Sequence, residues 1–271
     1  MGKHIAFIGG GNMASAIISG LLGRGFLASQ ISVVEPFDEA RQKLKTSFGI
    51  EAAAAAGTGL GQADLVVWAV KPQTFKEAAL QTRSFTPNAL HLSVAAGITS
   101  DSIAQWLGSE RIVRAMPNTP ALIGKGITAL FARAAVNEAD RQNVEQVIAT
   151  TGESLWMTSE AQLDAVTAIS GSGPAYVYYF LEAMAEAGAQ MGLARDDAYR
   201  LAVSTFIGAG ELARASAEPP EVLRQRVTSK GGTTHAALTS MEGSQVKERF
   251  ITALHAAHVR AGELGREFGG L

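Results

Sequence analysis

An apolar run of strand length, Lys3-His4-Ile5-Ala6-Phe7-Ile8, stops at Gly9-Gly10-Gly11-Asn12-Met13-Ala14 and passes at once into the helix-like Ser15 to Leu22. A G-x-G-x-x-A pattern between a strand and a helix restricts the fold severely. Gly9 makes the tight turn, Gly11 lets a pyrophosphate approach the backbone, and Ala14 allows the helix to pack closely on the strand. The helix start then offers unpaired N–H groups and a positive dipole end to phosphates. Ile8, Gly9, Gly10, Gly11, Asn12 and Met13 are therefore the first candidate cofactor-binding residues.

A second apolar run, Ile31-Ser32-Val33-Val34, ends at Glu35. This puts a carboxylate about twenty residues beyond the glycines, where such folds bind the adenosine ribose. Further short apolar runs at Leu65–Val70, Leu90–Val94, Ile112–Ala115 and Ile127–Phe131 alternate with the helix-like Glu39–Phe48, Thr74–Gln81 and Ser100–Leu107. Repeated β-α alternation predicts an α/β, Rossmann-like, doubly wound parallel sheet. The short Ala52–Ala56 run reads as a surface turn or helix end.

After a helix-like Glu138–Thr150 and a short run at Ser154–Met157, the pattern changes to long helices. Gln162–Met191, interrupted near Gly171-Ser172-Gly173-Pro174, is followed by Asp196–Arg214, Glu221–Arg226 and Gln245–Glu267. The expected organisation is a dinucleotide-binding domain over residues 1–160 and an all-α dimerisation and substrate-binding domain over 161–271. Helices this rich in alanine and apolar faces bury them most easily against a second copy, so a homodimer or a larger homo-oligomer is expected.

Composition excludes several classes. A net charge of −2 with scattered basic residues argues against a nucleic-acid partner. The absence of cysteine removes disulfides, thiolate zinc sites and cysteine nucleophiles. His255 and His258 lie three apart on the last helix, but no third ligand is suggested nearby, so no metal is expected. No signal peptide or bilayer-length apolar segment is visible, which leads to the expectation of a cytoplasmic protein without membrane contact.

Ligands of a doubly wound fold bind at the carboxyl ends of its strands. Val70-Lys71-Pro72 follows the third run, Ala95-Ala96-Gly97 the fourth and Met116-Pro117-Asn118-Thr119-Pro120 the fifth. Small residues admit a flat ring, and Asn118 offers amide hydrogen bonds, so Val70, Lys71, Pro72, Ala95, Ala96, Asn118 and Glu35 complete the cofactor-binding set. Two later segments, Asp164 to Tyr176 and Val227-Thr228-Ser229-Lys230-Gly231-Gly232-Thr233-Thr234, complete an ordered series of motifs. With them, the chain closely resembles the pyrroline-5-carboxylate reductase family from its first strand to its last helix.

The resemblance implies reduction of the C=N bond of 1-pyrroline-5-carboxylate to L-proline by NADPH or NADH, the final step of proline biosynthesis. It also implies dimers formed through an intertwined helical domain, often assembled into larger rings. Backbone N–H groups of the Gly-Gly turn suit a carboxylate. By resemblance, Thr234 is the catalytic candidate, its hydroxyl facing the imine nitrogen. Glu160, Ser229, Gly231, Gly232, Thr233 and Thr234 are the substrate-binding candidates. Two departures leave the coenzyme open: Glu35 stands where the family often has a small polar residue, and Ala56 where it often has asparagine.

Two other readings are distinguishable. A β-hydroxyacid dehydrogenase would place a lysine on the helix after the Gly171–Gly173 turn, yet the matching position is Val177 and no Lys or Arg occurs between Glu160 and Gly192. A nonenzymatic dinucleotide-binding redox sensor would need the first glycine loop but no anchor for a small carboxylate.

Overall fold

The structure, a computed structural model, describes residues 3–269. Its sheet has seven strands in the order β2-β1-β3-β4-β5-β6-β7. These are β1 (Ile5–Ile8), β2 (Ile31–Val34), β3 (Leu65–Trp68), β4 (Leu90–Ser93), β5 (Ile112–Met116), β6 (Gly126–Ala132) and β7 (Gly152–Trp156). The first five pair in parallel. β6 runs antiparallel to β5 and parallel to β7, so the expected parallel sheet carries a reversed two-stranded edge. The chain leaves β1 toward β2 and returns past it to β3, which makes the carboxyl ends of β1 and β3 the topological switch point.

Alternate residues of each strand face opposite layers, and both layers are filled. Ile5 and Phe7 join a core with Ile17, Ile18 and Leu21 of α1 (Asn12–Gly23), Leu44 of α2 (Asp38–Phe48), and Val144, Val147 and Ile148 of α5 (Glu138–Ile148). Ala6 and Ile8 face the other core, with Phe75 and Ala79 of α3 (Pro72–Thr82) and Ile103, Trp106 and Leu107 of α4 (Ser100–Leu107). Local signals set the helix ends. Asp38 and Glu39 occupy the positive end of α2, and Gly49 stops it in the left-handed region at φ 68°. The Thr99 side chain accepts from the Ser102 N–H at the start of α4, and Gly108 closes it. Ala53 forms a lone parallel bridge to Val34, so the alanine run makes a turn that touches the sheet edge.

By its contacts the chain forms two compact units: residues up to Ser172 together with those from Ala257 onward, and Gly173–Ala256. That differs from a boundary after Glu160. α6 (Gln162–Val166) and the π turn Thr167–Gly171 belong with the sheet, where a Cβ on Gly171 would lie 2.6 Å from Met116 Cε. The end of α11 (Val246–Phe268) also belongs there: Phe268 packs beside the second core, and the Ser102 hydroxyl donates to the Gly269 carbonyl at 2.5 Å.

In the helical unit, α7 (Gly173–Gln190) pairs with α8 (Arg195–Ala215) through small residues; a Cβ on Gly188 would come within 2.5 Å of Ala198 Cβ. Tyr176 and Phe180 pack edge-on against Phe250. α9 (Pro220–Arg226) precedes α10 (Thr233–Gly243), a helix beyond those expected from the sequence pattern. Tyr179, Ile207 and Leu212 are 70%, 62% and 71% exposed, so much of this unit's apolar surface is uncovered in a single chain. Among the described residues no helix is long and apolar enough to cross a membrane, and no group of three His, Cys, Asp or Glu could hold a metal ion.

His91, inside β4, accepts a hydrogen bond from Trp68 Nε1 at its Nδ1 (3.2 Å), while its Nε2 meets no partner among the described residues. Burial, and secondarily the Arg111 charge, lowers its pKa from 6.5 to about 4. The unfolded chain therefore binds a proton between these values that the folded chain does not. His91 stability is complete above pH 6.5 and is lost as the pH falls toward about 4, amounting to about 3 kcal/mol. Urea unfolding across this range should show that slope, and His91→Gln, which retains an acceptor for Trp68, should flatten it.

Candidate functional site

The switch point is built around a backbone approach that excludes side chains. Gly9 has φ +95°, and a Cβ there would lie 2.6 Å from the Ala69 carbonyl oxygen. Its N–H donates to Val34 O at 2.8 Å, while the Ala69 N–H donates to Ile8 O at 2.8 Å, so the turn after β1 is tied to both neighbouring strands. Gly10 is confined by a side chain instead, since a Cβ would meet Leu44 Cδ1 at 2.6 Å.

Gly11 differs: a Cβ there would find nothing within 4 Å. It caps α1, no side chain bonds to the helix start, and both Gly11 and Asn12 are exposed. The first-turn N–H groups therefore face open space beside a glycine, an arrangement that fits the pyrophosphate of a dinucleotide. Met13, half-buried, packs against the first core and Ile8 ends β1 beneath the loop.

Glu35, immediately after β2, is 6% exposed. Its Oε2 accepts from the Gly10 N–H at 2.7 Å and its Oε1 from the Phe37 N–H at 2.9 Å. The carboxylate at the predicted ribose position thus also braces the glycine loop, a role that spacing alone did not reveal.

The other loops end on the same side of the sheet. Lys71 caps α3 with Pro72 in its first turn, and Val70 Cγ1 would lie 3.0 Å from a Cβ on Gly9. Ala95 is buried and Ala96 half-buried; Gly97 turns the chain at φ +74° against Leu264. Asn118 Oδ1 accepts from the Ile127 N–H at 3.0 Å, so what its side chain offers a ligand is the amide donor.

Glu160 has partners other than the substrate contact expected of it. Its Oε1 accepts from Arg114 Nη1 at 2.7 Å and from the Ser100 N–H at 2.5 Å, and its Oε2 from the Ser100 hydroxyl at 2.6 Å. It therefore neutralises the buried Arg114 and occupies the positive end of α4. Arg133 adds a bond to the Ser100 hydroxyl at 3.1 Å. Sequence reasoning overlooked this network. An arginine inside the apolar strand Ile112-Val113-Arg114-Ala115 was the available signal, because such a charge needs a buried partner.

In the helical unit, Gly231 at φ +77° turns the chain into α10, whose cap Gly232 supplies no side chain. A Cβ on Gly232 would lie 2.6 Å from Ser229 Oγ, so the second glycine makes room for that hydroxyl. Thr233 is exposed and Thr234 half-buried in the first turn, where backbone N–H groups lack helical partners.

Comparisons place these features in context. A family model described as pyrroline-5-carboxylate reductase dimerisation matches residues 160–264, and one described as NADP oxidoreductase coenzyme F420-dependent matches residues 4–97. The chain is 42% identical over 268 residues to a pyrroline-5-carboxylate reductase of Pseudomonas aeruginosa, covering 98% of each. To that of Escherichia coli (strain K12) it is 38% identical over 257 residues, 94% of this chain and 95% of the other. Among solved structures, a Coxiella burnetii pyrroline-5-carboxylate reductase superposes with TM-score 0.90 at 38% identity, covering 97% and 98% of the two chains. A Plasmodium falciparum pyrroline carboxylate reductase solved with NADP bound gives TM-score 0.86 at 28% identity, with the same coverage.

Removing the Glu160 carboxylate leaves Arg114 buried without its counter-ion. Glu160→Ala should cost about 3 kcal/mol in urea unfolding. A pure substrate contact would instead raise KM and leave the unfolding midpoint where it was.

Proposed function

The chain belongs to the pyrroline-5-carboxylate reductase family, and we propose how its own residues carry out the reduction of 1-pyrroline-5-carboxylate to L-proline with NADH or NADPH. The observation that carries the residue assignment is the open cradle at Gly11, combined in one chain with an uncapped Gly-Gly-Thr-Thr helix start. A dinucleotide sensor needs only the first.

The nicotinamide coenzyme, when bound, supplies the hydride that adds to the imine carbon. In the turn from Ile8 to Met13, the N–H groups of Gly11, Asn12 and Met13 at the start of α1 hold the pyrophosphate, those of Gly9 and Gly10 being bonded to Val34 O and Glu35 Oε2, and Glu35 lies at the adenosine ribose. Val70, Pro72, Ala95 and Ala96 form compact walls that let a flat ring approach the backbone, Lys71 caps α3 beside them, and Asn118 contributes its amide donor. Ser229 and the N–H groups of Gly231 and Thr233 hold the substrate carboxylate, while Gly232, whose N–H donates to Ser229 O at 3.0 Å, shapes the turn around them. Thr234 places its hydroxyl at the imine nitrogen, where charge and proton demand change during reduction. Glu160 acts by shaping the start of α4, which follows the Ala95–Gly97 loop.

The uncovered apolar residues of the helical unit, together with the dimerisation model over 160–264, support a homodimer or an assembly built from dimers. A cytoplasmic location fits the need for a reduced nicotinamide supply.

Coenzyme oxidation, followed on adding pyrroline-5-carboxylate to the purified protein with each coenzyme, tests the reaction; binding without turnover favours the sensor. Losing a hydrogen bond to a polarising centre costs about 1.5–3 kcal/mol, roughly ten- to a hundredfold in rate. Thr234→Ala should lower turnover by that factor with coenzyme affinity nearly unchanged, and Thr234→Ser should keep more activity. An alanine variant that folds and turns over normally would reduce Thr234 to a helix-start residue.

A further inference from the structure

We infer that Glu35 makes this chain selective for NADH over NADPH, because its carboxylate is held rigidly where a 2′-phosphate would have to sit and the guanidinium of Arg41, six residues on, is tied to the turn between β2 and α2. The inference rests on the dinucleotide reading of the Gly9–Ala14 turn. Both oxygens of Glu35 accept from backbone, Gly10 N–H at 2.7 Å and Phe37 N–H at 2.9 Å, and the residue is 6% exposed. A flexible surface glutamate could swing away from an incoming phosphate. This one would have to break two bonds, one of which positions the glycine loop itself.

Each carboxylate oxygen can accept more than one hydrogen bond, so the same group can still receive ribose hydroxyls. A 2′-phosphate, in contrast, brings negative charge against a fixed negative charge in a poorly solvated place, where Coulomb repulsion is weakly screened. Accommodating it would require a cation. Arg41 is the closest candidate by sequence, but its Nη1 donates to the carbonyls of Glu35 at 3.0 Å and Pro36 at 2.6 Å, and its Nη2 to Asp38 Oδ1 at 2.9 Å. The guanidinium thus holds the turn between β2 and α2. Lys45, further along α2, pairs with Glu51 at 2.7 Å.

The test is equilibrium binding, read by calorimetry without substrate: NAD+ against NADP+, and 5′-AMP against adenosine 2′,5′-bisphosphate. The full chain should bind each ligand lacking the 2′-phosphate at least about tenfold more tightly than its partner. Glu35→Gln, which keeps an acceptor for Gly10 while removing the charge, should shrink that ratio by about tenfold, mainly by raising NADP+ affinity. Glu35→Ser should move it in the same direction with a lower melting temperature, and Arg41→Ala should preserve the preference. Equal or tighter binding of the 2′-phosphorylated ligands by the unmodified chain would overturn the inference, as would an Arg41→Ala variant that selectively loses NADP+. Were Glu35→Gln to weaken NAD+ and NADP+ alike, Glu35 would be a loop brace alone. Failure of both dinucleotides to bind would sink the dinucleotide reading, whereas a clear preference without pyrroline-5-carboxylate reduction would sink only the reaction.

Discussion

Everything at the switch point follows from how closely the end of β1 passes the end of β3. With Gly9 at φ +95° and the Ala69 carbonyl 2.6 Å from where a Cβ would be, the chain can turn there only without a side chain. The turn is then stitched to both neighbours through Gly9–Val34 and Ala69–Ile8 hydrogen bonds. A tight turn at an interior strand, flanked by β2 and β3, aims α1 back across the first core and leaves its uncapped start over the crevice. The anion-binding geometry is therefore a by-product of packing: one residue that cannot carry a Cβ, and another two positions on whose Cβ would meet nothing.

Glu35 and Glu160 show a shared principle from opposite directions. Each is an acidic side chain that joins distant backbone, Glu35 linking the end of β2 to the glycine loop and Glu160 linking the approach to α6 to the start of α4. In both cases the carboxylate satisfies N–H groups that a turn or helix start would otherwise leave unpaired. Loops made of glycine and alanine have few side chains with which to hold their own shape. Ionic and hydrogen-bonded struts from outside provide the rigidity that a ligand-binding loop needs.

Much of this was legible in the sequence because it depends on local pattern. The strand–glycine–helix start, the alternating elements and the position of Glu35 at a strand end all follow from periodicity and spacing. What escaped depends on pairing. Nothing in Gly126–Ala132 announces that it runs antiparallel to β5, since a short apolar run carries no direction. The segment at 162–171 reads as part of a long helix, yet it packs with the sheet because Gly171 admits Met116 at close range. The resemblance makes Glu160 a substrate contact, but its partner Arg114 lies 46 residues away in sequence and is visible only once the strands are placed.

The two units also differ in what sets their stability. The sheet unit buries large side chains in two cores, with Trp68, Phe7 and Phe75 fully enclosed. Within the helical unit, by comparison, the buried residues of α7 and α8 are Leu181, Ala185, Gly188, Ala198 and Ala202, mostly small residues that bring backbones close, as Gly188 and Ala198 do, but bury little apolar area each. Larger residues such as Tyr179, Ile207 and Leu212 stay exposed. A helical unit that spends its small residues on internal packing and leaves its large ones exposed gains most of its remaining hydrophobic stabilisation only on association.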